Sequence, residues 1–111
     1  MLQTCIFCKI ISREIPAQII KETEDYIVIK DIAPKAPIHY LIIPKVHISS
    51  VAEIAHDQIT LVGKLFTMAQ ELGKSLSPSA YRLLVNTGKE VGQSVFHLHA
   101  HFLAGKQLSD F

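Results

Sequence analysis

The sequence predicts an α+β domain: a five-stranded antiparallel sheet with one long helix and a short N-terminal helix. Three observations predict it. Five short runs rich in β-branched and aromatic residues are joined mostly by links too short for parallel crossovers. Residues 58–75 carry apolar side chains at helical spacing. Near the C-terminus, Val95-Phe96-His97-Leu98-His99-Ala100-His101-Phe102-Leu103 alternates as a strand does. The chain has 111 residues, so a single domain spanning 1–111 is expected. At that size roughly 65% of the unfolded surface can be buried without staples.

Taken in order, residues 5–12 suit a short helical turn, and residues 13–17, with Pro16, a connection. Residues 19–22 and 26–30 read as strands joined by a tight turn at Thr23-Glu24-Asp25. Residues 31–37 form a loop whose φ angles are restricted by Pro34 and Pro37. A third strand, residues 38–43, stops at Pro44. Ser49 or Ser50 suits the cap of a first helical turn. In the long helix, Leu61, Val62, Leu65, Phe66, Met68, Ala69 and Leu72 make one apolar stripe that is read as core, and Gly73 followed by Pro78 marks its end. Residues 81–86 are the fourth strand, residues 87–92 a loop with two glycines, and residues 95–103 the fifth strand.

Composition narrows the function classes. Hydrophobic residues make up 49% of the chain, charged residues 19%, and the net charge is +1 with no Lys/Arg block. Neither nonspecific nucleic-acid binding nor a membrane surface is expected from that balance. The apolar run 38–44 is broken by His39 and far too short to span a bilayer. The first residues lack a basic start followed by an apolar stretch, so no secretion signal is read there and the cytoplasm is expected. Cys5 and Cys8, the only cysteines, form a C-x-x-C pair that points to metal or redox chemistry rather than a disulfide framework.

The chemistry concentrates near the C-terminus. On a strand, His97, His99 and His101 share one face at steps of roughly 6.7 Å, and Phe96, Leu98, Ala100 and Phe102 take the other face, toward the core. Three adjacent imidazoles can bind metal, attack phosphorus, move protons or hold anions. The plain alternative is a metal cluster or a set of surface histidines. The loop before them contains Gly88, Gly92, Gln93 and Ser94. Gly92 allows close backbone approach, Gln93 offers an amide donor to a phosphoryl oxygen, and Ser94 offers a hydroxyl able to pass a proton. C-x-x-C is also the usual zinc knuckle, needing two further ligands that His47 and a triad histidine can supply. A reduced thiol pair without metal stays open. His39 reads as a structural histidine behind the site.

The run Gly92-Gln93-Ser94-Val95-Phe96-His97-Leu98-His99-Ala100-His101 resembles the H-x-H-x-H signature of the histidine triad (HIT) family. Cys5-Ile6-Phe7-Cys8-Lys9-Ile10-Ile11, Glu14-Ile15-Pro16-Ala17, Asp31-Ile32-Ala33-Pro34-Lys35-Ala36-Pro37 with His39, and Ile43-Pro44-Lys45-Val46-His47-Ile48-Ser49 resemble other segments of it. The likeness covers nearly the whole chain and is greatest to the Hint-like branch, the purine nucleoside phosphoramidases.

The resemblance implies a HIT-like fold and a nucleotide-binding hydrolase that cleaves the P–N bond of purine 5'-monophosphoramidates and releases AMP or GMP. It implies that His99 attacks phosphorus to form a nucleotidyl-histidine, with His97 and His101 orienting it and holding phosphate oxygens. Ser94 matches the residue that protonates the leaving amine, Asn86 and Gln93 match polar residues at the phosphate, and Asp31 matches the acid that binds the ribose hydroxyls. Ile6, Phe7, Ile10 and Ile32 match the base pocket, whereas Ile29 stands where relatives often carry an aromatic. A structural zinc on Cys5, Cys8, His47 and His97, a homodimer, and no organic cofactor are also implied. The tail from Gly105 is shorter than in many relatives, which bears on selectivity for the amine. Two other readings share the scaffold: a dinucleoside polyphosphate hydrolase or nucleotidyl transferase, and a non-catalytic, zinc-stabilised nucleotide-binding module. Retention of His101, where transferase relatives carry glutamine, favours the phosphoramidase.

Overall fold

The computed structural model describes residues 4–109. Residues 1–3 and 110–111, on which the readings of the chain's start and tail partly rest, lie outside the described residues. Five antiparallel strands run in the order β1-β2-β3-β5-β4: β1 Ile19–Glu22, β2 Tyr26–Lys30, β3 Ile38–Pro44, β4 Arg82–Leu84 and β5 Ala100–Ala104. Helix α1 (Ile6–Ile11) precedes the sheet, and α2 (Ile59–Lys74) lies between β3 and β4. The predicted fold class, element order and strand count are those observed.

Alternation along the inner strands explains why the sheet is covered on both faces. Tyr26 and Val28 of β2, Ile42 of β3, and Ala100, Phe102 and Ala104 of β5 pack against Leu65, Met68, Ala69 and Leu72 of α2. Ile27 and Ile29 of β2, with Leu41 and Ile43 of β3, pack on the other face with Cys5, Phe7, Cys8 and Ile10 of the N-terminal segment. This period-two division places His39 and His101 on the α1 face, because they share parity with Leu41, which pairs directly with His101. The Tyr26 hydroxyl reaches across the other layer and donates to the Leu61 carbonyl at 2.9 Å, tying α2 to β2.

Several expectations are corrected. The fifth strand begins at Ala100 rather than Val95, so His97 and His99 lie in irregular chain ahead of it. The cause lies in the neighbouring strand. Pro44 has no N–H to extend the ladder, its carbonyl receives the His97 ring, and the Leu98 N–H turns to the Ile48 carbonyl at 2.6 Å. The bend turns Phe96 out of the expected core, leaving it 49% exposed, while Leu98, Ala100 and Phe102 are buried. In α2, Phe66 is 62% exposed and does not belong to the core stripe. The fourth strand is also shorter than expected, since its partner offers no ladder before Ala100. The long helix keeps its expected span to within one residue at each end. Ser75 caps it by donating its hydroxyl to the Leu72 carbonyl at 2.8 Å, and Gly73 sits inside the last turn. Ser50 precedes a short 3₁₀ turn, Val51–Glu53, without a side-chain capping bond.

Candidate functional site

The site forms where α1, the end of β3, the loop before β5 and the start of β5 meet. Its organisation follows from hydrogen bonds to backbone groups whose roles are fixed, because a carbonyl can only accept and an amide N–H can only donate. The Pro44 carbonyl lies 2.8 Å from His97 Nε2, so His97 carries its proton there and its Nδ1 is unprotonated. The His97 carbonyl lies 2.7 Å from His99 Nδ1, so His99 donates through Nδ1 and keeps a free lone pair on Nε2. From the opposite side, the Lys35 N–H donates to His39 Nδ1 at 3.0 Å. Neutral His39 therefore holds its proton on Nε2, which lies 2.9 Å from His101 Nδ1. That leaves the proton of His101 on its Nε2. The rings of His99 and His101 sit 5.2 Å apart, centre to centre, closer than a regular strand places alternate residues.

Phe7 holds this arrangement from α1. Its ring meets His99 edge-on at 5.0 Å and His97 at 5.9 Å. Expected to line a base pocket, it is buried and packs instead beneath the imidazoles. Asp31, at the end of β2, accepts the Ala33 N–H at 2.7 Å through one carboxylate oxygen, and the other lies 3.4 Å from His39 Nε2.

Burial sets the protonation. His101 is pushed down to about 4, first by desolvation and then by the neighbouring rings of His99 and His39, against the opposite pull of Asp31. His99 and His39 are also lowered, chiefly by burial. The triad rings are therefore neutral near pH 7, as an imidazole nucleophile requires.

A second cluster adjoins the first through His97. His97 Nδ1 lies 3.3 Å from Cys5 Sγ, 3.6 Å from Cys8 Sγ and 3.1 Å from His47 Nδ1, and Cys8 Sγ is 3.4 Å from His47 Nδ1. All four donor atoms fall within 4.8 Å of one another. Tetrahedral bonds of about 2.0–2.3 Å to nitrogen and sulfur place the donors about 3.3–3.8 Å apart, so the set fits a four-coordinate metal. Cys5 and Cys8 are not joined by a disulfide.

The other expected residues separate. Gln93 is buried, and its amide nitrogen donates to the Ser49 and Val95 carbonyls at 2.8 and 3.1 Å while its oxygen accepts the Gly88 N–H at 2.9 Å. Its polar atoms are committed to holding the loop, so the expected donation to phosphate is not made by this arrangement. Asn86, in contrast, has no partner among the described residues, and its carboxamide nitrogen lies 4.0 Å from where a Cβ on Gly92 would stand. Gly92 takes φ +106°, a conformation that opens this approach and disfavours other residues. Ile6, Ile10, Asp31 and Ile32 line a cleft of about 530 Å³ together with Ile29, with Ile32 fully exposed on its rim. Ser94 opens into a separate, smaller cleft. Sequence reasoning missed the backbone groups of Pro44 and Lys35, which no side-chain pattern advertises. His39, read from its alternation with Ile38 and Tyr40 as a histidine behind the site, does stand behind His101.

Residues 4–111 match the family described as "Scavenger mRNA decapping enzyme C-term binding". Protein HitA of Neisseria gonorrhoeae is 45% identical over 103 residues, spanning 92% of this chain and 96% of that protein. The chain belongs to the histidine triad family. The structure of a HIT family hydrolase from Clostridium thermocellum superimposes with a TM-score of 0.93 at 43% identity, covering 100% of this HIT chain and 98% of that one. A histidine triad nucleotide-binding protein from Candida albicans superimposes with a TM-score of 0.80 at 30% identity, covering 97% and 85% respectively.

The depressed histidines have a consequence for stability. For His39 and His101 the folded values lie below the ordinary 6.5, so between that value and the folded one the unfolded chain binds more protons. Their contribution is present at neutral pH and is lost as pH falls. Thermal melting should hold a plateau above about pH 6.5 and decline steadily toward pH 4, and a melting temperature that rises on acidification across this window contradicts the assignment.

Proposed function

We propose that this HIT protein is a nucleotide-binding hydrolase that cleaves the P–N bond of purine nucleoside 5'-monophosphoramidates. The observation that carries the reading is the 2.7 Å bond from His99 Nδ1 to the His97 carbonyl, which frees Nε2 as a neutral nucleophile. The names of structural neighbours, a HIT family hydrolase and a histidine triad nucleotide-binding protein, support hydrolysis and a nucleotide ligand.

In this reading the purine and ribose occupy the 530 Å³ cleft, with Asp31 at the ribose hydroxyls and the isoleucines against the base. His99 Nε2 attacks the α-phosphorus. The P–N bond to the amine breaks with its electron pair passing to nitrogen, which takes a proton relayed from water by the Ser94 hydroxyl. The new phosphoryl bond places positive charge on the imidazole, and the His97 carbonyl stabilises it through Nδ1–H. His101, donating from Nε2, and Asn86 hold the phosphoryl oxygens. Water then attacks phosphorus and gives its proton to the hydroxide left by the first step, His99 departs with the electron pair of its P–N bond, and the nucleoside monophosphate leaves. A neutral nucleophile avoids the repulsion that an anion would meet at a phosphoryl group. Replacing His99 by Ala should lower kcat/KM for an adenosine phosphoramidate by about a thousandfold or more and abolish the adenylylated protein seen by mass spectrometry. Undiminished turnover in that variant would leave a binding module as the better description.

Zinc is the metal that a two-thiolate, two-imidazole set suits best, held by Cys5, Cys8, His47 and His97. With four protein ligands it supplies a cross-link rather than an open coordination position. Metal analysis of the purified chain should find about one zinc per chain, and Cys8→Ala should remove most of it. A fully folded, zinc-free protein after purification in zinc-containing medium counts against the site.

A homodimer joined through α2 and the β4 edge completes the proposal. Ile59 and Phe66 are exposed on α2, and between them Gly63 has open space beside it, so a continuous face is free for close helix pairing. Sedimentation should give a dimer for the native chain and a monomer for Phe66→Glu, and a native monomer at micromolar concentration rules this arrangement out.

A further inference from the structure

Two clefts meet at one side chain. Ile6, 45% exposed at the start of α1, lines both the 530 Å³ cleft that contains Asp31 and a second cleft of about 280 Å³ that contains Ser94. Val95, Phe96, Cys5 and His47 form most of the remaining wall of the smaller cleft. We infer that this smaller cleft receives the substituent on the leaving amine and selects an uncharged, apolar one, a single aromatic ring or a short alkyl chain, with Phe96 as the residue that sets the preference. The inference rests on the phosphoramidase reading and extends it to the far side of the scissile bond.

Position is the first argument. Phe7 follows Ile6 directly and contacts the His99 ring, so the ridge between the clefts stands beside the nucleophile. A nucleoside on the Asp31 side and an amine on the Ser94 side then lie across that ridge from each other, with phosphorus between them. Ser94 is exposed and its hydroxyl has no partner among the described residues, which suits a group that must reach the departing nitrogen. Whatever that nitrogen carries extends along the wall next to Ser94.

The chemistry of the wall is the second argument. Phe96 is large, apolar and 49% exposed at a position whose alternation would have buried it, and the bend before β5 is what turns it outward. Among the described residues no carboxylate, ammonium or guanidinium lines the cleft, and Cys5 and His47 belong to the four-donor cluster. A charged substituent would lose hydration there without gaining a partner, whereas an apolar one gains contact with Ile6, Val95 and Phe96.

Size is the third. The cleft falls just below the roughly 300 Å³ at which sites for drug-sized ligands begin. Its walls enclose a fragment, and a second nucleotide would extend beyond them into solvent.

The test compares kcat/KM for three adenosine 5'-phosphoramidates on the intact chain, with the nitrogen unsubstituted, benzyl-substituted, or carrying a carboxyethyl group. Ammonia and benzylamine are of similar basicity, so the ratio between the first two reports contact rather than leaving ability. The benzyl compound should be favoured about tenfold over the unsubstituted one and the carboxyethyl compound should not be favoured. In Phe96→Ala the benzyl preference should collapse toward unity, and in Phe96→Tyr it should persist. Phe96→Leu provides a milder truncation with an intermediate ratio should the alanine variant fold poorly. Equal rates for the first two compounds, a preference for the carboxylate, or a benzyl preference that survives Phe96→Ala would overturn the inference while leaving the phosphoramidase reading intact. Absence of turnover for all three by the native chain would overturn both.

Discussion

The hydrogen bond from His99 Nδ1 to the carbonyl of His97 is the constraint on which the site depends. It fixes a tautomer, a ring orientation and the location of a lone pair at once. An imidazole free to donate from either nitrogen would spend part of its time with the proton on Nε2 and no lone pair there. Here the acceptor is a backbone oxygen two residues away, which cannot change its role. Burial adds to this by disfavouring the imidazolium, so the ring is both held in one orientation and uncharged at neutral pH.

His97 extends this constraint to the rest of the chain. Its backbone positions His99, one ring nitrogen is held by the last residue of β3, and the other faces two thiols and a second imidazole contributed by α1 and the loop after β3. A residue that is completely buried and held at both ring nitrogens joins the four-donor cluster to the His99 ring. The N-terminal segment is therefore part of the site in two ways. It supplies Cys5 and Cys8 to the cluster, and it sets Phe7 against the edges of His97 and His99.

On the opposite side, His39 carries the same logic to His101. One backbone N–H, that of Lys35, dictates the tautomer of His39, and His39 dictates that of His101. The two series start from separate loops, at Pro44 and Lys35, and converge on adjacent rings. They give those rings complementary roles, an acceptor on His99 Nε2 and a donor on His101 Nε2. Such convergence of polar groups in a desolvated place is worth more than the same bonds in water, because each partner is held before the substrate arrives.

Much of this was legible in the residues alone. Period-two alternation in β2 and β3, helical periodicity in α2 and the turn residues between them are local properties, and local sterics and burial decide them. The H-x-H-x-H run and the C-x-x-C pair announced their chemistry because those residue types at those spacings have few structural reasons to occur together. Apart from Phe66, exposed on α2, the main departures share one origin. The strand expected from residue 95 begins at Ala100 because Pro44, more than fifty positions earlier, cannot continue the ladder. The same bend exposes Phe96 and encloses Gln93, whose amide the loop then consumes. Sequence by itself determined the fold class, the order of elements and the chemical inventory of the site, since each depends on what a residue is and on its near neighbours. Only the tertiary structure decided which nitrogen of each histidine is free, which polar side chain is committed and which apolar one faces solvent, because those depend on partners brought together from distant parts of the chain.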